Sequence, residues 1–296
     1  MIHSGWTTRG HGKYRQPFML SRRREIPPAC SGNPVGGTVS GRIRAGFCGN
    51  DGANRCRAID EKRSGDPPVR GNAAPPHPRE LILRAISSSP SHYPYAWWTE
   101  REGFCGITPE TLFHQQGCRL ETMALAGTAR PEDEGVFIND DKEIREHEIV
   151  AGSILSRLSP YGSVTRTARS VLNLGTLIHF VTYLTLESDD QHAPAHWIRL
   201  LHPTPALGSQ PRTENTLSQL DDWRSRLRCP LHFGAPFGFL ENGDFFCLVG
   251  IRSLYWQGQR LALCTGGGVV ASSTLTHEWR ELKLKRDTVR RSFHLP

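Results

Sequence analysis

Long apolar runs are missing from this chain of 296 residues. Met1 is not followed by the roughly 7 to 15 apolar residues of a secretory signal, and no stretch approaches the ~20 needed to cross a bilayer. The expectation is a cytoplasmic protein with no membrane partner. Closely spaced cysteines are missing too. Cys30, Cys48, Cys56, Cys105, Cys118, Cys229, Cys247 and Cys264 show no metal-binding spacing, and in a chain this long they fall short of a disulfide framework. They read as reduced, mostly packed thiols. Acidic residues are scarce in one place only. Residues 1–79 hold 14 lysines and arginines against 5 aspartates and glutamates, and the rest of the chain holds 22 against 24. The formal net charge of +7 therefore belongs to the front.

That front segment contains 12 glycines and 9 prolines, and its apolar residues keep neither a period of 2 nor one of 3.6. Such a composition reads as a poorly ordered arm. Arg22, Arg23 and Arg24 raise the alternative of an arm for nucleic acid or a membrane surface. No platform of aromatic and basic residues accompanies them, so no nucleic-acid partner is expected. The composition changes abruptly near residue 77, as it would in a truncated or frame-shifted gene product. The expected organisation is a basic, Gly/Pro-rich segment over 1–79, disordered or foreign to the rest, and a globular domain over 80–296.

From residue 79 the pattern predicts a helix over 79–87 and short strands over 93–98 and 103–107. A tight turn or short helix over 109–113 follows, carrying Glu110, and then a strand over 119–125. The richest stretch is 123–150, MALAGTARPEDEGVFINDDKEIREHEIV. Gly127 ends an apolar strand where the chain must turn with its backbone open to a neighbour, which a residue without Cβ does cheaply. Asp140 or Asp141 can cap a helix over 141–158 that Ser159-Pro160 stops. Ile144, His147, Ala151, Ile154, Leu155 and Leu158 form its apolar stripe, and Glu146 falls off it. By itself Glu146 is a solvated face residue or a metal ligand, because a buried carboxylate needs a partner.

Residues 171–185 are β-branched and apolar, with His179 near the middle, where a satisfied core histidine is the ordinary reading. Pro203 and Pro205 stiffen a loop, and 213–228 predicts a helix with Leu217, Leu220, Trp223 and Leu227 on one side. Residues 233–240, 244–256 and 259–264, separated by Glu241-Asn242-Gly243 and Gln257-Gly258, read as an antiparallel meander ended by Gly266, Gly267 and Gly268. Ser272, Ser273 or Thr274 can cap a last helix. Glu278, Glu281 and Lys285 share one face of it, which elsewhere is usually a solvated ion-pair face.

Eight blocks then fall in one order: GITPETLF (106–113), TMALAGTAR (122–130), DKEIREHEIV (141–150), LIHFVTYL (177–184), LLHPTPALGSQPR (200–212), GIRSL (250–254), TGGGVV (265–270) and EWRELKLK (278–285). Together they resemble the chorismate-utilising enzymes, and within them the isochorismate synthases, over roughly residues 80–296. The resemblance implies an α/β (α+β) fold: a large two-layer antiparallel β-sheet with flanking helices and a site between the layers, with the N-terminal strands missing or disordered. It implies chorismate as substrate and Mg²⁺ as cofactor. Glu146 and Glu281 match metal-binding carboxylates, with Glu278 and Glu143 close around the metal and its waters. Arg252 and Lys285 match groups that hold the substrate's carboxylates. Gly127, Thr128 and Gly266 match positions facing the substrate, and His179 a histidine lining the pocket. Glu110 matches the general acid that protonates the departing 4-hydroxyl, although a TPE glutamate taken alone reads as an exposed helix start.

The ALAGT and LLHPTPALGSQPR blocks differ from the PIAGT and FPxGSxxGAPK blocks of anthranilate and aminodeoxychorismate synthases. They point to water rather than ammonia as nucleophile, and so to an isomerase, an isochorismate synthase feeding menaquinone or siderophore precursors. Salicylate and anthranilate synthase-like relatives rank below. One family element is absent: a lysine on an apolar strand, read as KVVLxR, that activates the water. Lys62 stands 48 residues before Glu110, but AIDEKRSGD is no apolar strand. Loss of a general base costs on the order of 10²- to 10⁴-fold in rate. The alternative expectation is therefore a catalytically impaired or truncated chorismate-binding protein.

Overall fold

The structure is a computed structural model that describes residues 42–44, 57–62, 77–88, 92–258 and 260–295, the first two segments as backbone. Two short strands, β1 (Arg42–Arg44) and β2 (Arg57–Lys62), precede helix α1 (Pro78–Ser88). Next come β3 (Tyr93–Trp98), β4 (Glu102–Thr108), β5 (Thr111–Gln116) and β6 (Arg119–Ala129). A one-turn helix α2 (Glu134–Phe137) and the long helix α3 (Asp141–Leu158) lead to β7 (Gly162–Arg166), β8 (Ser170–Asn173) and β9 (Ile178–Ser188). Helices α4 (Pro194–Leu201) and α5 (Glu214–Arg226) are followed by β10 (Pro236–Glu241), β11 (Asp244–Val249), β12 (Ser253–Gln257) and β13 (Arg260–Gly267). Helix α6 (Leu275–Ser292) closes the described chain.

The strands form two antiparallel sheets. One has the order β1-β2-β13-β12-β4-β3, and the other β10-β11-β5-β6-β9-β7, with β8 also on β9. Alternation along each strand decides which layer a side chain enters. In β4, Cys105 and Ile107 join Leu81 and Ile82 of α1 and Val289 and Phe293 of α6. Phe104, next to Cys105 in sequence and so on the other face, meets Leu248 of the opposite sheet. The other sheet buries Ala124, Leu184 and Leu186 against Val150, Ala151, Ile154 and Leu158 of α3. Burial of a side chain such as Ile154 or Leu158 contributes about 1.5–3 kcal/mol. Helices thus cover the two outer faces and the sheets face each other, the α+β architecture expected of the sequence. Among the described residues no helix is long and apolar enough to cross a membrane.

Caps and stops act where the sequence puts them. The Asp140 carboxylate accepts from the Lys142 and Glu143 N–H groups to start α3, and Thr274 caps α6. Elsewhere the chain departs from expectation. Residues 109–113 hold no helix: Pro109 and Glu110 are a two-residue link between β4 and β5. The strand before Gly127 does not end there. It runs on as β6 through a bulge between Ala126 and Ala129, which Gly127 permits by taking φ +74°. Residues 171–185 split into the hairpin β8–β9, and α2, α4 and β7 have no counterpart in the sequence reading. The stripe of α5 is only half-buried.

The largest correction concerns the meander. Its long middle strand is broken at Gly250–Arg252, so that β10 and β11 join one sheet and β12 and β13 the other. Gly250 passes so close to the Ala235 carbonyl that a Cβ would stand 2.9 Å from it, and Arg252 takes the left-handed φ of 55°. These two residues carry the chain across the gap between sheets. The front segment also differs from a wholly disordered arm, because β2 pairs with β13, setting Ala58 opposite Gly266 and Arg57 opposite Gly267. Arg22 to Arg24, Cys30, Cys48 and Cys56 lie outside the described residues. The five described cysteines are free thiols, three of them buried.

Candidate active site

The bulge in β6 and the crossover at Arg252 meet across one cavity. With the ladder interrupted, the Thr128 N–H donates to Glu143 Oε2 at 2.9 Å, and the Gly127 carbonyl accepts from His179 Nδ1 at 2.8 Å. With its proton on Nδ1, His179 offers the lone pair of Nε2 to the Arg252 guanidinium, 2.7 Å away. Burial, then Arg252 and Lys285, push the His179 pKa down to about 3, so the ring is neutral and a weak base. The other arm of Arg252 lies 3.0 Å from His92 Nε2. Burial lowers Arg252 to about 10, which leaves it charged at neutral pH. A guanidinium that lines the cavity and is held by neutral His179 is suited to a carboxylate.

Glu110 faces the same space and is 4 % exposed. Its backbone is tied at both ends: its N–H donates to Thr108 Oγ1 at 3.2 Å, and its carbonyl accepts from the Val249 N–H at 3.1 Å. Burial raises its pKa to about 7, against the pull of Lys285 and Arg252. At neutral pH the group therefore sits close to half-protonated, where a proton donor is most useful. The reading of Glu110 as an exposed helix start is overturned by its burial and by the strand that follows it.

The far wall is built from two helices. Glu143 and Glu146 come from α3, Glu278 and Glu281 from α6, and each is at most 5 % exposed. The Lys142 ammonium stands among them, 2.9 Å from Glu143 Oε1, 3.1 Å from Glu146 Oε2, 3.4 Å from Glu278 Oε1 and 3.8 Å from Glu281 Oε2. Lys285 Nζ pairs with Glu281 Oε1 at 2.5 Å and donates to the Gly266 carbonyl at 3.2 Å. Burial raises the Glu146 carboxyl, and Glu281 adds to it, beyond what Lys142 offsets. Burial likewise raises Glu143. Glu281 is held low because Lys285 and Lys142 together outweigh its burial. The wall thus gathers four buried carboxyl groups around two lysines.

This wall fits a hard divalent cation. Glu146 Oε2 and Glu278 Oε1 are buried without a hydrogen bond of their own and share the Lys142 ammonium at 3.1 and 3.4 Å, an expensive state that a divalent cation relieves. The donors are carboxylate oxygens, the chemistry Mg²⁺ prefers. Gly268 lets one of them in, since a Cβ there would stand 2.7 Å from Glu146 Oε1. Among the described residues, one donor atom each of Glu143, His277 and Glu281 lies within 4.8 Å of the others. Of the four residues that the resemblance sets at or around the metal, Glu143 and Glu281 belong to that cluster, and Glu146 and Glu278 approach it through Lys142.

The cavity, about 670 Å³ with its open mouth, is lined by Glu110, Gly127, Thr128 and Glu146. His179, Arg252, Gly266 and Lys285 complete the set singled out from the sequence, while Glu278 and Glu281 stand behind them in the wall. Three participants were missed. Lys142 lies one helical turn before Glu146, a spacing that forecasts the ion pair. His277 precedes Glu278 and reaches Glu143 Oε1 at 3.5 Å. His92 arrives from 160 residues away and leaves no local signal. His147, placed on the apolar stripe, is a satisfied core histidine bonded to Thr182 Oγ1 at 2.8 Å.

A family profile described as chorismate binding enzyme matches residues 71–293. The chain is 28 % identical over 231 residues to isochorismate synthase EntC of Escherichia coli K12, covering 73 % of this chain and 57 % of that protein. It is 28 % identical over 236 residues to aminodeoxychorismate synthase component 1 of Bacillus subtilis, covering 74 % and 49 %. Among solved structures, MenF, the menaquinone-specific isochorismate synthase of Escherichia coli, superposes with a TM-score of 0.67 at 22 % identity, covering 82 % of this chain and 56 % of that one. This likeness shows a shared fold. The chain spans a little over half the length of EntC and about half that of the Bacillus subtilis protein.

Proposed function

Because the chain belongs to the chorismate-binding enzyme family, we propose that it acts on chorismate as an Mg²⁺-dependent isochorismate synthase, adding water at ring C2 as the C4 hydroxyl leaves. The observation that carries this reading is the opposition of a lone buried carboxyl, Glu110, with a pKa near 7, to a wall of four buried carboxylates. Arg252 and Lys285 hold the substrate's carboxylates, and His179 keeps the Arg252 guanidinium aimed at the cavity. Glu110 gives its proton to the C4 oxygen, which departs as water, and the incoming water gives one proton to solvent, from which Glu110 is reprotonated, so atoms and charge balance. Bound Mg²⁺, held by Glu146 and Glu281 with Glu278 and Glu143 around it, supplies charge neutralisation and a grip on the ring carboxylate. The ALAGT and LLHPTPALGSQPR blocks support water over ammonia as nucleophile.

A second reading rests on the base. Among the described side chains, Lys142 and Lys285 are engaged with carboxylates, and His179 is too weak. Lys62 lies four residues along β2 from Ala58, the partner of Gly266, and so about 13 Å away along the strand. This arrangement favours a protein that binds chorismate and turns it over slowly or not at all. Turnover of chorismate by the purified chain, with and without Mg²⁺ and with the product identified, separates the two. Isochorismate formed only with the metal supports the synthase. Metal-dependent binding without product supports the binding protein, and aminodeoxychorismate or anthranilate formed with ammonia overturns the choice of nucleophile.

A further inference from the structure

Lys142 Nζ stands among the four carboxyl groups that the metal reading assigns to the cation, 3.1 Å from Glu146 Oε2 and 3.8 Å from Glu281 Oε2, and so takes up room inside the proposed cation site. We propose that Lys142 is the built-in counter-ion of this wall and that the divalent cation binds by displacing it. The inference rests on the reading of the four carboxylates as the metal site.

Three features of the chain carry it. First, one ammonium cannot satisfy four carboxylates. Lys142 makes a hydrogen bond to Glu143 Oε1 at 2.9 Å, while buried oxygens on Glu146 and Glu278 remain without one and Glu281 is taken by Lys285. Second, the charge balance favours the exchange. A divalent ion brings the four carboxyl groups one more positive charge than the ammonium it replaces. Two cations sharing the same few ångströms would repel strongly instead. Third, the lysine has a way out. Lys142 lies in the first turn of α3, its side chain is 10 % exposed, and its neighbours Asp141 and Arg145 face solvent. Rotation about its four-carbon stem returns the ammonium to water without disturbing the helix.

Metal-free, Lys142 keeps the wall from flying apart; metal-bound, it is a solvated surface lysine. Calorimetric titration of Mg²⁺ into the metal-free full chain and into Lys142→Met tests the exchange. The variant binds about 10- to 100-fold more tightly, because no charge has to be expelled. Its metal-free form melts below the metal-free wild type, and saturation with Mg²⁺ closes that gap. Equal or weaker affinity in the variant overturns the inference while leaving the metal site standing, and failure of both proteins to bind Mg²⁺ overturns the metal reading and the inference with it. Should the variant not fold without metal, amine acetylation of the wild type read by mass spectrometry answers the same question. Lys142 is labelled faster with Mg²⁺ than without it, and Lys283, which is exposed, serves as the unchanged reference. No acceleration, or protection, contradicts displacement.

Discussion

Two sets of carboxyl groups face each other across the cavity, and they differ in the company they keep. Glu110 is alone, so burial drives it toward the neutral acid and its pKa rises to about 7 although two cations stand nearby. Glu143, Glu146, Glu278 and Glu281 are crowded, so each proton or cation taken by one changes the rest. Burial raises Glu146, while Lys285 and Lys142 outweigh burial at Glu281. A solitary buried carboxyl becomes a proton donor; a cluster becomes a cation site. Both come from the same residue type at nearly the same exposure, and company alone separates them.

The comparison breaks most visibly at the solitary acid. Glu110→Gln lowers kcat by about 10²- to 10⁴-fold with little change in the affinity for chorismate, measured by steady-state kinetics and equilibrium titration. Glu281→Ala acts on the other wall, weakening Mg²⁺ binding by more than the ~10- to 100-fold typical of a group one shell away from a metal, as calorimetry reads it. Gly268→Ala sharpens the contrast without removing a ligand. Its Cβ must push Glu146 aside, and Mg²⁺ affinity falls by about tenfold or more while the Glu110 limb of the pH profile stays in place.

That limb has a defined sign. The acid form of Glu110 is the active one, so kcat/KM falls as pH rises through about 7. Stability follows the same direction. A carboxyl whose pKa rises from 4.5 to about 7 on folding contributes stability present below the lower value and lost as pH rises through the upper one. Glu110→Gln therefore melts higher than wild type at pH 8 and loses that advantage at pH 4, as thermal scans at the two pH values record. The smallest effect belongs to the scaffold. Gly127→Ala loses about 1–2 kcal/mol for its left-handed backbone, and its Cβ lies 3.1 Å from Phe180 and 3.2 Å from Glu143 Oε2. Denaturant midpoints measure that loss.

Much of this site could be read from residue order. Asp140 capping α3, Thr274 capping α6, and the helical spacing of Glu278, Glu281 and Lys285 are local patterns, and local patterns survive folding. The bulge at Gly127 was foreseen as a need for bare backbone, though taken for a strand end, because a bulge depends on the register of the partner β9. The break at Arg252 was invisible for the same reason. Its residues carry strand propensity throughout, and only the presence of two sheets tells the chain to cross between them. Glu146 looked peripheral because hydrophobic periodicity does not count carboxylates as core, yet here a buried acidic face continues the apolar one. His92 could not be found at all, since nothing in its neighbourhood announces an arginine 160 residues away.

The pairing of a lone acid with a cation-binding wall is tested most directly by titrating chorismate into the metal-free chain over a series of Mg²⁺ concentrations. The account predicts that chorismate binds more tightly as Mg²⁺ rises, that Mg²⁺ binds more tightly by the same factor when chorismate is present, and that Glu281→Ala abolishes this mutual gain. Chorismate affinity indifferent to Mg²⁺, or unchanged coupling in Glu281→Ala, would contradict it.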